Sequence, residues 1–413
     1  VAIGNEGYDY SGRSASGGVH IYYGPLATTD TRTADVVLGG GAAQDRAGWA
    51  LDRGDFDGDG TQELLIGAPQ EDAGGASAGA AYIRSTTFAS ASISLSTGGF
   101  TAKLVGENGS DFAGYVLANA GDTNGDGKDD VLIGSYGYDQ PQNLAGAAYL
   151  VPGPISGTLD LGTTTSLTRL TGTTTAANAG KAVAGVGDTD GDGMDDILVG
   201  APGSNVSGNA SGVAYLLLGS FGNGSQSLST ADVELRAATS YQSMGSAVSR
   251  AGDQNSDGYA DYWVSAGAAD SGASNTGSVY LVAGNSVTGV QTTANIALAT
   301  ITGELANDDL ATTVFSADID GDGKEDALLG AVDVDTNGTQ SGAVYMCLGP
   351  IAGTYTVVDC SAKILGSNAA DKVGTALSAG DTDGDGFEDL LLGVPGVDTL
   401  GSGGGALYMY RGG

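Results

Sequence analysis

Six copies of one nine-residue acidic loop divide the chain into near-equal lengths, and no other feature limits its fold as strongly. They read DFDGDGTQE from Asp55, DTNGDGKDD from Asp122, DTDGDGMDD from Asp188, DQNSDGYAD from Asp253, DIDGDGKED from Asp318 and DTDGDGFED from Asp381, with starts 67, 66, 65, 65 and 63 residues apart. Loop positions 1, 3, 5 and 9 carry carboxylates or carboxamides, and position 7 offers a backbone carbonyl. That is the all-oxygen cage a hard cation such as Ca2+ requires. The donor sets are Asp55, Asp57, Asp59 and Glu63 with the Thr61 carbonyl; Asp122, Asn124, Asp126 and Asp130 with Lys128; Asp188, Asp190, Asp192 and Asp196 with Met194; Asp253, Asn255, Asp257 and Asp261 with Tyr259; Asp318, Asp320, Asp322 and Asp326 with Lys324; and Asp381, Asp383, Asp385 and Asp389 with Phe387. About six Ca2+ sites are expected, one per repeat.

Position 6 is glycine in every copy, as a loop that folds its carboxylates inward needs one residue free to take positive φ. Position 4 is glycine in five copies and Ser256 in the fourth. An EF-hand opens in the same way but requires a bidentate Glu at position 12. Here position 12 is Ile66, Ile133, Val199, Val264, Leu329 or Leu392, inside strand-like runs. A solvated Asp-Gly turn without metal is the alternative for any one such loop, and six in register count against it. The second and fourth loops, with Asn124 and Asn255, present one charge fewer, so the fourth, which also lacks the position 4 glycine, is expected to be weakest.

The 413 residues carry 15 Lys+Arg against 49 Asp+Glu, a net charge of −34, and 22 of the acids occupy the loop positions. Six divalent ions would reduce that to −22. Such a field repels nucleic acid and anionic membrane, and no basic patch offsets it. No apolar run approaches the roughly 18 to 20 residues of a membrane-spanning helix, so no membrane insertion is expected. A start at Val1, with neither an initiator Met nor a leader, reads as a processed chain or a fragment. Calcium is plentiful outside cells, which points to a secreted or cell-surface setting. Cys347 and Cys360 lie on successive strand-like segments of one repeat; a disulfide between them is geometrically allowed, and two separate thiols are the alternative.

Each loop runs into an apolar strand closed by glycine, as in LLIGAP (64–69) and ILVGAP (197–202), with VAIG (1–4) as a seventh copy. A second strand follows in seven copies, as in GAAYLVPG (146–153), then a third such as AKLVGE (102–107). A fourth, rich in small residues, precedes the next loop. Short strands with turn signals and no helical period argue for an all-β fold, and four antiparallel strands per ~65 residues make one blade of a β-propeller. The approximate blades are 1–40, 41–106, 107–172, 173–238, 239–303, 304–366 and 367–413, one propeller in all, with the first and last incomplete.

On these residues the chain resembles the FG-GAP family, the repeats of the integrin α-subunit head and of many bacterial surface proteins. The GAP element stands as Gly67-Ala68-Pro69 and Gly200-Ala201-Pro202, with Gly393-Val394-Pro395 close to it; the FG element is degenerate, as at Ala47-Gly48 and Ala113-Gly114. The resemblance implies a seven-bladed propeller with calcium between the first two strands of its blades, used for structure and recognition and not for chemistry.

Arg53-Gly54-Asp55 spells a known adhesion tripeptide, but its aspartate is simply the first loop ligand. His20 occupies the slot of Tyr82, Tyr149, Tyr215, Tyr280, Tyr345 and Tyr408, which reads as a packing stripe. Tyr8, Tyr10, Tyr136, Tyr138 and Trp49 are less regular: they read by default as solvated loop positions and are better placed than the stripe to face a partner. Five N-x-Ser/Thr sequons, at Asn108, Asn205, Asn209, Asn223 and Asn337, are glycosylation candidates. With one histidine and its clustered carboxylates committed to loops, no enzyme is expected.

The reading is therefore an adhesion or recognition module that takes a protein or glycan ligand. A subunit of an extracellular filament or coat, binding copies of itself, is an alternative, and so is the non-catalytic propeller of a secreted hydrolase. Seven post-loop strands against six inner and six outer ones leave a gap of about 25 residues by comparison with the other repeats. Either a longer natural chain or a neighbouring subunit is expected to fill it.

Overall fold

The computed structural model describes residues 1–24, 33–88, 90–270, 274–285, 288–397 and 404–413. Among them are 31 short strands and five one-turn 3-10 helices, and no α-helix. Alternating apolar residues do not span a whole strand here. The post-loop strands Glu63–Ala68, Asp130–Ser135, Asp261–Ala266 and Asp326–Ala331 are buried at every residue, because both faces of each sheet are covered.

Seven sheets form the blades of the propeller. In the second, strands Leu51–Gly54, Glu63–Ala68, Ala80–Arg84 and Ala102–Val105 lie side by side and antiparallel. The loops from Asp55 to Glu63 thus join an inner strand to its neighbour. Small residues on the inner strands permit close approach: a Cβ on Gly185 would stand 2.3 Å from the Asn119 carbonyl oxygen.

Four of the sheets hold five strands, one more than four per repeat, and the sixth holds the four of its own repeat. The fifth is Gly157–Asp160 on the second sheet, running parallel to Ala102–Val105. It comes from the next repeat, from the connection between its tyrosine strand and its outer strand. Ser92–Ser94, Gly224–Ser227, Gly289–Thr292 and Gly353–Thr356 do the same for their preceding sheets. These segments are short, polar and exposed, so they lack the apolar pattern that marks a strand in sequence. Several lead into a 3-10 turn whose first residue, Leu95, Leu228 or Val357, is buried as an anchor. Among the described residues the first sheet has no inner strand, and the last, Ala376–Gly380, Asp389–Val394 and Ala406–Tyr410, has three strands.

The residues group into two compact units, 1–185 with 193–201 and 217–231, and 186–192 with 202–216 and 232–413. In the first, Leu65, Ile83, Leu104, Val131, Ile133 and Tyr149 form a core between successive sheets. In the second, Trp263, Leu281, Ile301, Leu329 and Tyr345 do so, and the Trp263 indole N–H donates to Ser316 Oγ at 3.0 Å. A disulfide joins Cys347, at the end of Ala343–Cys347, to Cys360, beside Ala362–Leu365.

Candidate metal centres

Each loop is built around its first aspartate. The Asp55 carboxylate accepts from the backbone N–H of Gly58, Asp59 and Gly60 at 2.8, 3.0 and 2.9 Å, and Asp122, Asp318 and Asp381 accept from the same three positions of their loops. Asp57 and Asp59 then accept from the N–H two residues on. The position 6 glycines hold φ between 83° and 95°, as at Gly127 and Gly386, a region that costs other residues about 1–2 kcal/mol.

Position 9 plays a different part from positions 1, 3 and 5. Glu63, Asp130, Asp196, Asp261, Asp326 and Asp389 are all buried at the start of the post-loop strand. The Asp261 carboxylate accepts from Gln254 N–H at 3.0 Å and, through its other oxygen, from Gly284 N–H at 2.9 Å; Asp130, Asp326 and Asp389 repeat both bonds. This residue therefore ties the loop to the blade.

Oxygens of Asp55, Asp57 and Glu63 lie within 4.8 Å of one another, as do those of Asp318, Asp320 and Asp322 and those of Asp381, Asp383 and Asp385. Asp383 Oδ1 is buried without a hydrogen-bond partner, although Arg411 pairs with its other oxygen at 2.8 Å. An all-oxygen donor set with an orphaned carboxylate oxygen fits a hard divalent cation. The asparagines act otherwise. Asn124 Nδ2 donates to both oxygens of Asp130 at 3.3 and 3.2 Å, and Asn255 Nδ2 donates to Asp257 Oδ2 at 2.9 Å.

The electrostatics agree with this crowding. Burial, and then the Asp57 charge, pushes Glu63 up to about 7. Burial also raises Asp130, Asp261 and Asp326. At Asp389 burial acts in the same sense, but hydrogen bonds from Thr382 and Gly412 and the Arg411 charge outweigh it, and the net shift is downward.

Adjacent loops touch through residues outside the expected donor sets. Asp129, at position 8 of the second loop, accepts the Asp55 N–H at 2.9 Å and donates its own N–H to the Asp55 carbonyl at 3.1 Å. Asp195 does both to Asp122, at 2.8 and 3.0 Å. Position 7 side chains reach across as well: a Cβ on Gly58 would stand 2.9 Å from Lys128 Cγ, one on Gly191 2.6 Å from Tyr259 Cε1 and one on Gly321 2.4 Å from Phe387 Cε1. An acid at position 8 in four of six loops was the available signal.

In the adhesion-like tripeptide, Asp55 is held by these bonds within its loop, and only Arg53 is exposed. The tyrosine stripe is buried at Tyr82, Tyr149, Tyr215, Tyr280 and Tyr345, and 45% exposed at Tyr408. It does more than pack: Lys103, Arg169 and Lys363 face Tyr82, Tyr149 and Tyr345 across the strands, with their charges 5.4, 5.5 and 5.1 Å from the ring centroids. Glu71, Glu107 and Glu304 neutralise those cations at 2.7, 2.6 and 2.6 Å. His20 meets Tyr8 edge-on at 4.7 Å. Trp49 is exposed, with Tyr115 at 5.2 Å and Tyr136 beyond it. Tyr138, read as a solvated loop position or a partner contact, is instead buried against Tyr149 and under Arg169, because the guanidinium covers its ring. All five sequon asparagines are exposed, and Asn337 Nδ2 donates to the Gly366 carbonyl at 2.8 Å.

The FG-GAP repeat family matches residues 47–83, 113–151, 179–217 and 373–410, each span running from the small-residue pair through the loop to the tyrosine strand. Integrin alpha-PS2 of Drosophila melanogaster is 33% identical over 180 residues, 42% of this chain and 12% of that protein. Human integrin alpha-IIb is 33% identical over 175 residues, 41% of this chain and 15% of that protein. The chain therefore spans a small part of the length of these relatives. A solved structure of BBS1N in complex with ARL6DN, soaked with lead, aligns at a TM-score of 0.43 and 10% identity over 84% of this chain and 76% of that one, too distant to carry an argument. No helix among the described residues is long and apolar enough to cross a membrane. Strand order and loop geometry give a seven-bladed, all-β propeller arrangement in which four stretches match the FG-GAP repeat, and about two fifths of the chain is similar to integrin alpha chains.

Proposed function

We propose that this propeller is an extracellular, calcium-binding adhesion or recognition module whose ligand is a protein or glycan. The observation that carries the calcium reading is the convergence of three carboxylates within one loop, as at Asp318, Asp320 and Asp322. Ca2+ tolerates irregular oxygen cages of this kind, whereas Mg2+ demands near-ideal octahedral geometry. The ligand residues are the position 1, 3, 5 and 9 side chains and the position 7 carbonyls of all six loops. The Cys347–Cys360 disulfide supports an oxidising compartment, and the likeness to integrin alpha chains supports recognition over chemistry. Calorimetry with Ca2+ and Mg2+, followed by a protein and glycan binding array with and without chelator, tests it. Tight Ca2+ uptake with chelator-sensitive ligand capture is expected; no Ca2+ uptake would overturn the reading.

A further inference from the structure

The contacts between neighbouring loops are more specific than packing requires. Asp129 holds both polar backbone groups of Asp55, the residue that opens the first loop: its carboxylate takes the N–H at 2.9 Å and its own N–H binds the carbonyl at 3.1 Å. Asn119 Nδ2 steadies the same Asp129 oxygen at 2.7 Å. The second and third loops repeat the arrangement, with Asp195 on Asp122 at 2.8 and 3.0 Å. There the chain makes room for it, since a Cβ on Gly121 would lie 2.0 Å from Asp195 Oδ2.

Asp129 and Asp195 each precede a buried position 9 carboxylate, Asp130 or Asp196. A cation that draws in Asp130 therefore also fixes Asp129 and, through it, the backbone of Asp55. We propose that Asp129 and Asp195 are positioning residues that couple cation binding in adjacent loops, so that filling the second loop prepares the first and filling the third prepares the second. The coupling is reciprocal, because a free energy linking two sites acts equally on both. It rests on the calcium reading given above. The lock is sequence-specific. At the next contact Ala260 keeps the backbone half, its N–H donating to the Asp188 carbonyl at 3.0 Å, but an alanine has no carboxylate to supply the other half.

A second carboxylate beside a cation site can act by charge alone, and substitution separates the two effects. Asp129→Ala removes both the charge and the acceptor; Asp129→Asn keeps an oxygen that can take the Asp55 N–H. Calcium binding is followed by calorimetry, and hydrogen exchange of residues 55–63 and 122–130 is followed across the titration. The expected result is a loss of about tenfold in affinity at the first loop for Asp129→Ala, a size typical of coupled sites, with most of it restored by Asp129→Asn. Asp195→Ala and Asp195→Asn should do the same at the second loop. An alanine variant with wild-type affinity, or an asparagine variant as weak as alanine, would overturn the proposal. If the alanine variants do not fold, the wild type decides: residues 55–63 and 122–130 must gain protection together, and independent gains overturn the coupling. Calcium uptake without coupling sinks this inference alone, whereas absence of uptake sinks the calcium reading with it.

Discussion

The first and fourth loops have the same length and the same turn, yet they solve the problem of clustered charge in opposite ways. The first gathers Asp55, Asp57, Asp59 and Glu63, with three carboxylates in mutual reach and Glu63 pushed up to about 7. The fourth replaces one acid by Asn255, whose amide donates to Asp257 at 2.9 Å. Lys324 of the following loop also donates to the Asp253 carbonyl. One loop leaves three carboxylates within reach of one another; the other meets part of its charge with its own amide and a lysine of the next loop. A conserved loop shape thus does not imply equal dependence on metal.

Removal of calcium should give the largest effect and bears directly on that contrast. A ligand that binds only the native state adds about 2.7 kcal/mol per site at a hundredfold excess over Kd, so chelation of several loops should lower Tm by roughly 10 °C or more. Ca2+ should restore it and Mg2+ should do so poorly. Hydrogen exchange should show residues 55–63 opening in EDTA well before 253–261. A Tm that ignores EDTA, or loops that open together, would remove the distinction.

Charge can next be moved from one loop to the other. Asn255→Asp deletes the amide donor and adds a fourth carboxylate, so calcium affinity at the fourth loop should rise about tenfold, because affinity follows ligand charge, while the calcium-free protein loses stability. Without the substitution, the fourth loop should empty first. At half-filling calcium, Asp253→Ala should therefore lower Tm less than Asp188→Ala does. The reverse order would show that neutral partners do not weaken the site.

Much of this was legible in the residues. The loop period, the apolar post-loop runs and the recurrent Tyr slot located the blades, because buried strands must be apolar and tight loops need glycine at fixed places. The parallel fifth strands were not legible: Gly157–Asp160 and Gly224–Ser227 are exposed and held by backbone bonds, which leave no side-chain pattern. Position 8 was visible as a run of acids but not as a contact, since Asp129 meets Asp55 across 74 residues. The cations over Tyr82, Tyr149 and Tyr345 stayed hidden for the same reason. Periodicity reports what a residue is buried in, and register alone reports which neighbour it meets.

Acidity offers a further test, in which Asp45 and Asp111 titrate in EDTA alongside Glu63 of the first loop. Burial, opposed by hydrogen bonds from Ala42 and Asn108, raises Asp45 and Asp111 to about 6, away from every loop. A carboxyl whose folded pKa lies above its unfolded value contributes stability that is complete below about pH 4 and is lost as pH rises through about 6. In EDTA, Tm should therefore climb by a few degrees between pH 7 and pH 5, and Asp45→Asn should flatten that slope. With calcium present the trend should reverse, since protons compete with the ion for the loops. The same slope in both conditions would mean that the loops do not bind metal in this range.

The smallest effects concern position 4, where the two loops differ by one side chain. Gly321 lies under the Phe387 ring of the sixth loop, with no room for a Cβ, so Gly321→Ser should cost about 1–3 kcal/mol through overpacking. Gly58, under Lys128, should resist serine less because a flexible chain can move aside. Ser256 is exposed: the next loop sends its lysine to Asp253, and the serine sits at φ 60°. Left-handed backbone costs an L-residue about 1–2 kcal/mol, while glycine loses more freedom on folding, by roughly 0.5–1 kcal/mol. The two terms nearly cancel, and Ser256→Gly should raise Tm by no more than a few degrees. A loss on Ser256→Gly equal to that on Gly321→Ser would show that the serine side chain makes a contact the fourth loop needs, and that its departure from glycine is not merely tolerated.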